Sequence, residues 1–264
     1  MPELPEVETV VRTLRPHVVG LTISSARFGS KFVTPGDREL LAARLVGRRI
    51  EGVERRGKFI WVRLDSGSLA VHVGMTGRLL FGGVEGPHTH GVFSFDDAVL
   101  VYDDIRQFGR IEWSEEGVPA RIAALGPDAL AVGVAEVVLR LRARSTRVKP
   151  LLLNQSFLAG LGNIYVDEVL FRSGVHPLAR ASGISKARAA GLHSVMGSIL
   201  RTAIEHGGSS ISDYVDADGE SGGFQELHRV YGREGLDCEV CGALVQRIVV
   251  AGRGTHYCGK CQRR

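Results

Sequence analysis

The chain closes on four cysteines in the pattern Cys238-x2-Cys241-x16-Cys258-x2-Cys261. Each C-x-x-C offers two thiolates to one metal, and two such pairs complete a tetrahedral zinc set. Two disulfides are the weaker reading, because nothing points to export: Glu3, Glu6 and Glu8 stand where a signal peptide needs a basic start and an apolar run. Four protein thiolates leave no open coordination position, so one structural Zn2+ is expected, as a clasp and not as a catalyst. The intervening "ALVQRIVVAGRGTHYC" reads as a β-hairpin turning at Ala251-Gly252 or just beyond. Near its tip, Arg253 is placed either to meet a phosphate or simply to face water.

That module must sit on something larger. The chain has 264 residues, enough for one large domain or two ordinary ones, and 44% hydrophobic with 23% charged residues suits a soluble globular protein. No apolar run approaches the roughly 20 residues of a membrane helix. A formal charge of +4 says little about partners. Its distribution says more. Arg140, Arg142, Arg144, Arg147 and Lys149 form a basic run without an acid, and from residue 229 onward seven Arg/Lys face three acids.

Residues 1–130 open with a helix, since Val7, Val10, Val11 and Leu14 share one face. Seven short β-branched or aromatic stretches follow, from "LTISSARF" to "GRIEWS", as in a β-sandwich or barrel. After "LGPDAL" the pattern turns helical through residues 135–206. Residues 208–225 are polar and Gly-rich, an exposed loop by composition. The expected division is residues 1–131, 132–227 and 228–264. Between two helical segments, Gly160-Leu161-Gly162-Asn163 makes a sharp corner. Gly160 suits the end of the first helix and Asn163 the cap of the second. The corner is either an anion site at a helix start or an ordinary helix junction.

In order along the chain stand "MPELPEVET" (1–9), "RRGKF" (55–59), "HVGMTG" (72–77), "RQFG" (106–109), "GLGNIY" (160–165), "VYGREG" (230–235) and "GRGTHYC" (252–258). With the cysteine spacing, this set resembles the bacterial formamidopyrimidine-DNA glycosylase family. The resemblance implies an α+β fold of two domains: an N-terminal β-sandwich with flanking helices, and a C-terminal helix-two-turn-helix domain carrying a four-cysteine zinc-finger β-hairpin. It implies a DNA repair enzyme that removes oxidised purines (8-oxoguanine, formamidopyrimidines) and nicks the strand by β,δ-elimination. The partner would be duplex DNA with oxidised bases or abasic sites. No organic cofactor and no membrane are implied, and the protein would be a cytoplasmic, nucleoid-associated monomer.

The resemblance also implies roles. Met1 is removed and the Pro2 amine becomes the nucleophile. A terminal amine titrates at roughly 7.7–8.0 against about 10.4 for lysine, so far more of it is free base near neutrality. Glu3 becomes the acid-base group, where otherwise it would simply complement the helix dipole. Glu6 lies between dipole partner and active-site support. Lys58 goes to the scissile phosphates, and Arg253 to a phosphate in the δ-elimination step. Met75, Arg106 and Phe108 fill the space left by a flipped base, where otherwise Met75 and Phe108 would read as core. His90, Arg144, Lys149 and Asn163 are implied backbone contacts, and "ADGESGGFQ" corresponds to the loop that covers the lesion.

One motif departs from the family's frequent Asp-Pro-Arg-Arg-Phe-Gly: this chain reads Asp104-Ile105-Arg106-Gln107-Phe108-Gly109. Loop rigidity and a phosphate contact depend on those two positions. Two other readings are open, an oxidised-pyrimidine enzyme of the endonuclease VIII type and a non-catalytic zinc-containing DNA-binding protein. "PELPE" in place of that branch's usual "PEGPE", together with "RQFG", disfavours the former.

Overall fold

The computed structural model describes residues 1–211 and 213–263. They form two compact units: residues 1–124 with 206–223, and residues 125–205 with 224–264.

In the first unit, α1 (Leu4–Val18) has Pro5 in its first turn, where a missing N–H costs nothing. Its apolar stripe, Val7, Val10, Val11, Leu14 and Val18, is buried. There follow β1 (Ser25–Phe28), α2 (Arg38–Leu45), β2 (Ile50–Arg56), β3 (Phe59–Leu64), β4 (Ser68–His72), β5 (Gly77–Phe81), β6 (Thr89–Ser94), β7 (Val99–Asp104), β8 (Arg110–Ser114) and the short α3 (Ala120–Ala123). The strands make two antiparallel four-stranded sheets, ordered β1-β6-β7-β5 and β2-β3-β4-β8. Alternation along β3 buries Ile60, Val62 and Leu64. They join Leu79, Phe93, Leu100 and Tyr102 of the other sheet and the stripe of α1 in one core. This is the expected β-sandwich with flanking helices.

Three elements were not anticipated: α2, β5 and the four-residue α3. The α2 segment is capped by Asp37, whose carboxylate accepts the N–H groups of Glu39 and Leu40 at 3.0 Å. β5 is a "GRLLF" run too short to show a period.

The segment expected as an exposed loop of the helical domain also differs. Residues 206–223 pack with the N-terminal unit. Tyr214 and Ala217 enter its core, the Ala217 N–H donates to Thr13 Oγ1 at 3.1 Å, and the Phe81 N–H donates to Ala217 O at 3.0 Å. Only its tip, residues 218–221, is exposed throughout. Composition misled here because the glycines serve close backbone packing.

The second unit holds α4 (Val134–Arg142), α5 (Val148–Leu153), α6 (Asn163–Arg172), α7 (Lys186–Glu205) and the hairpin β9 (Gln246–Val250) with β10 (Arg253–Tyr257). The hairpin turns at Ala251-Gly252, both at positive φ (49° and 74°), the signature of a two-residue type I′ turn. The first helix of the corner ends at Leu153, well before Gly160, and the cap of α6 is Gly162. A turn at 155–157 and bends at Leu158 and Gly160 fill the interval, stapled by Gln155: its amide donates to Leu153 O and Leu161 O at 2.9 Å, and its carbonyl accepts the Gly160 N–H at 2.9 Å. Asn163 is therefore not the cap, and its side chain does other work. Among the described residues no helix is long and apolar enough to cross a membrane.

Close packing at the edge of the sandwich yields a test. A Cβ on Gly109 would stand 1.6 Å from the hydroxyl of buried Tyr102. Gly109→Ala should therefore lose about 1–3 kcal/mol of stability in urea unfolding, as overpacked sites do.

Candidate active site and zinc centre

The predicted residues fall into several groups within the two units: the residues at the start of α1 with Lys58, the Met75 and Arg106–Phe108 loops with His90, the Lys149–Asn163–Arg253 set and the four cysteines, with Arg144 apart. In the N-terminal unit Met1 is 44% exposed, and behind it Pro2, Glu3 (3% exposed), Glu6 (2%) and Lys58 (6%) are withdrawn from water. Ionised side chains are rarely so buried unless partnered. Glu6 is partnered twice by backbone: Oε2 accepts the Glu3 N–H and Oε1 the Ser209 N–H, each at 2.8 Å. The Tyr214 hydroxyl donates to Glu6 O at 3.2 Å, and burial pushes its pKa up. The first turn of α1 and the 206–223 segment are thus fastened through one residue.

Lys58 occupies a two-residue turn between β2 and β3, with Gly57 at φ 58° and Arg56 paired to Phe59. Positive φ at the first turn position alone marks a type II′ turn, which demands glycine there. Arg55 locks this turn to α1, its guanidinium on Glu8 Oε2 at 2.9 Å and on Gly57 O at 3.1 Å. The amine of Met1 is held below the usual terminal range. Burial is the main cause, Lys58 and Arg106 add to it, and Glu3 and Glu6 oppose it.

Met75 (38% exposed), Arg106 and Phe108 (51%) project from two adjoining loops. The loops are tied at buried Asp104, whose carboxylate accepts from Thr76 Oγ1 (2.5 Å), the Arg106 N–H (3.2 Å) and the Gly109 N–H (2.8 Å). The Arg106 guanidinium lies 4.6 Å from the Phe108 ring centre. His90 is half-buried, with Nε2 3.1 Å from Asp104 O. Sequence reading missed Asp104, because "YDD" at a strand end looks solvated.

It also missed His72, whose pKa burial pushes down to about 4, with Lys58, Arg121 and Arg110 adding. Its neutral Nδ1 accepts the Gly74 N–H at 3.2 Å.

In the second unit, Lys149 is not on the surface as a phosphate contact requires. It is 0% exposed, with Nζ 2.6 Å from Asp167 Oδ1 and 3.1 Å from Gly254 O. The Asn163 amide donates to the same carbonyl at 2.9 Å, and Asp167 Oδ2 accepts the His256 N–H at 2.8 Å. Lys149, Asn163 and Asp167 therefore anchor the hairpin strand that begins with exposed Arg253. Next in α6, fully buried Glu168 accepts from three successive N–H groups, Arg229, Val230 and Tyr231, at 2.9 Å. Two adjacent acids in the otherwise apolar "NIYVDEVLF" were the available signal. Arg144 is exposed.

The four cysteine sulfurs lie within 4.8 Å of one another. Cys241 and Cys258 are 3.4 Å apart and Cys238 and Cys261 3.9 Å. Sulfurs about 2.3 Å from a tetrahedral zinc stand about 3.8 Å apart, so the set fits one Zn2+. Disulfide bonding at about 2.04 Å does not fit these separations.

Comparison with known proteins accords with this anatomy. The chain matches family profiles described as formamidopyrimidine-DNA glycosylase N-terminal domain (residues 1–111), formamidopyrimidine-DNA glycosylase H2TH domain (125–215) and zinc finger found in FPG and IleRS (235–264). It is 51% identical to the formamidopyrimidine-DNA glycosylase of Solibacter usitatus and 45% identical to that of Geobacillus kaustophilus, over 100% of both chains in each case. A Lactococcus lactis FPG mutant in complex with Fapy-dG-containing DNA is similar at TM-score 0.91 and 37% identity, with 100% of each chain covered. MutM (FPG) from Thermus thermophilus gives 0.90 and 40%, covering 99% of this chain and 98% of that one.

Two outcomes follow from the geometry. Cys258→Ser, or zinc removal by a chelator, should strip hydrogen-exchange protection from residues 238–262, the stretch that the metal clasps. The folded pKa of His72 lies below its unfolded 6.5, so the unfolded chain takes up the proton first. Stability should be intact above that value and fall as pH drops toward about 4, by up to about 3 kcal/mol. His72→Gln should flatten that part of the stability–pH curve.

Proposed function

The chain belongs to the formamidopyrimidine-DNA glycosylase family, and on that premise we propose that it excises oxidised purines from duplex DNA and nicks the strand at the resulting abasic site. The observation that carries the reading is the buried cluster at the start of α1. It holds a terminal amine at depressed pKa between two carboxylates and a lysine.

With Met1 attached, the Pro2 nitrogen is an amide and carries no nucleophilic lone pair, so removal of Met1 belongs to the proposal. The freed secondary amine would occupy the same corner, where burial and Lys58 favour its neutral form. Its lone pair attacks C1′ of the damaged nucleotide while the glycosidic bond breaks and the base leaves with the bonding pair. Glu3 delivers a proton to the sugar ring oxygen as the ring opens. The amine gives up its N–H proton to solvent as the iminium forms. The Glu3 carboxylate left by protonating the ring oxygen takes a proton from C2′, the C2′–H electrons flow toward the iminium, and the 3′ phosphate leaves with the C3′–O bonding pair. Elimination on the other side follows with Arg253 on a phosphate. Lys58 accompanies the scissile phosphates.

Glu6 has both carboxylate oxygens engaged by backbone N–H groups and acts as a positioning residue. Arg106, Phe108 and Met75, exposed and on tied loops, fill the stack from which the base is flipped. His90 and Arg144 contact backbone. Lys149 and Asn163 serve DNA through the hairpin they hold. The zinc, by holding four thiolates, keeps that hairpin folded. We place the protein in the cytoplasm, acting on nucleoid DNA, in keeping with its reading as a DNA repair enzyme.

Incubation of the mature protein with a duplex carrying 8-oxoguanine opposite cytosine, with borohydride added, should give a covalent protein–DNA adduct. Pro2→Gly or retention of Met1 should abolish the adduct, and Glu3→Gln should slow excision by about 10²–10⁴-fold. Absence of any adduct would leave a non-catalytic DNA-binding protein. Faster excision of thymine glycol than of 8-oxoguanine would move the chain to the endonuclease VIII type.

A further inference from the structure

The segment joining α4 to α5 runs antiparallel to the segment joining α6 to α7, in a single bridge that pairs Arg147 with Arg180. The flanking bonds are Val148 N–H to Ala179 O (2.8 Å) and Ala181 N–H to Thr146 O (2.9 Å). They bracket the two arginines without joining them, which defines a non-hydrogen-bonded pair. At that position facing residues approach most closely, with Cα atoms about 4.5 Å apart. Like charges placed directly opposite destabilise a ladder.

Of the other cations of this basic run, Arg140 is on Glu136 at 2.8 Å, Arg142 on Ile184 O at 3.2 Å and Lys149 on Asp167 at 2.6 Å, while exposed Arg144 reaches only the neighbouring Ala143 O at 3.5 Å. Arg147 and Arg180 are both exposed, and no carboxylate pairs with either among the described residues. They line an open cavity of about 520 Å³ with Ser145, Thr146, Pro150 and Leu178, and no acid lines it. Two arginines and two hydroxyl-bearing residues thus line one space. Their donors suit an anion with several oxygens, and arginine forks match phosphate best.

We propose that Arg147 and Arg180, with Ser145 and Thr146, form a clamp for a DNA phosphodiester, additional to the contacts assigned above. A bound phosphate turns the repulsive pair into a shared one, and an open cavity admits a continuous strand. The proposal rests on the DNA-repair reading for its choice of anion.

The test measures affinity of the full chain for a duplex containing a tetrahydrofuran abasic site, across a potassium chloride series. The double variant Arg147→Gln/Arg180→Gln should lower the magnitude of the log K against log salt slope by about 0.9, since one phosphate is no longer neutralised. Arg147→Lys/Arg180→Lys should keep most of it. The DNA-free Gln variant should melt no lower than the parent at low salt. An unchanged slope overturns the clamp, as does a lower melting temperature without DNA, which would make the pair structural. If inorganic phosphate stabilises the parent but not the Gln variant while the DNA slope stays the same, the site holds a free anion and the DNA assignment fails. Absence of trapping by the parent would sink the glycosylase reading alone, since the salt series reads the clamp independently.

Discussion

The N-terminal unit depends on a buried carboxylate. Glu6 is almost wholly removed from water, a position that is costly without strong partners. Its two oxygens take the N–H of Glu3 and the N–H of Ser209, so the first turn of α1 is fixed to a segment more than two hundred residues away. Glu3 and the first turn of α1 are held by that pair of bonds, while the turn that carries Lys58 is held to α1 separately, by Arg55 on Glu8. A close approach at Gly208 makes the fit tight, because a Cβ there would stand 2.9 Å from the Glu6 side chain. The helix thereby becomes a rigid mount for the residues that precede it.

The second unit repeats the device with different chemistry. Asp167 and Glu168 are adjacent in α6, buried, and aimed at different parts of the zinc module. Asp167 pairs with Lys149 and with the backbone of β10, and Glu168 gathers the backbone of residues 229–231. Zinc closes the hairpin on itself, and these carboxylates settle where the closed hairpin sits on the helices. Metal and carboxylates act on separate degrees of freedom, so losing either would disturb Arg253 by a different route.

Much of this was legible in the sequence, for reasons that differ by residue. The hairpin turn at Ala251-Gly252 and the four-sulfur cluster follow from local spacing, which the fold has no freedom to alter. The strand β3 follows from alternation, one face buried, whereas β4, buried at four successive positions, shows as a short apolar run bounded by polar residues. Lys149 was misplaced because a lysine in a basic run looks solvated, and its partner Asp167 lies 18 positions away. The 206–223 segment was misplaced for the same reason. Its glycines and acids resemble a free loop until Glu6, Thr13 and Phe81 are brought beside it. Short-range pattern reveals elements, whereas a buried ion pair becomes visible only when tertiary structure supplies its partner.

The departure at Ile105 and Gln107 shows how a local rule can be replaced. A proline would stiffen the loop before Phe108 through its ring. Here stiffness comes from hydrogen bonds. Gln107 adopts φ 54°, unusual for a residue with a side chain, and such a conformation persists only where neighbours enforce it. Its Oε1 accepts the buried Ser30 hydroxyl at 2.6 Å, and its carbonyl accepts from Arg110 at 3.2 Å. The same Ser30 oxygen accepts the Phe32 N–H at 3.1 Å, which ties the loop to a second turn. Asp104 holds the opposite end through the N–H groups of Arg106 and Gly109. Between these two anchors Arg106 stacks on Phe108, and both remain exposed. Glutamine at position 107 thus fixes the loop from within, and the side chains on either side stay exposed.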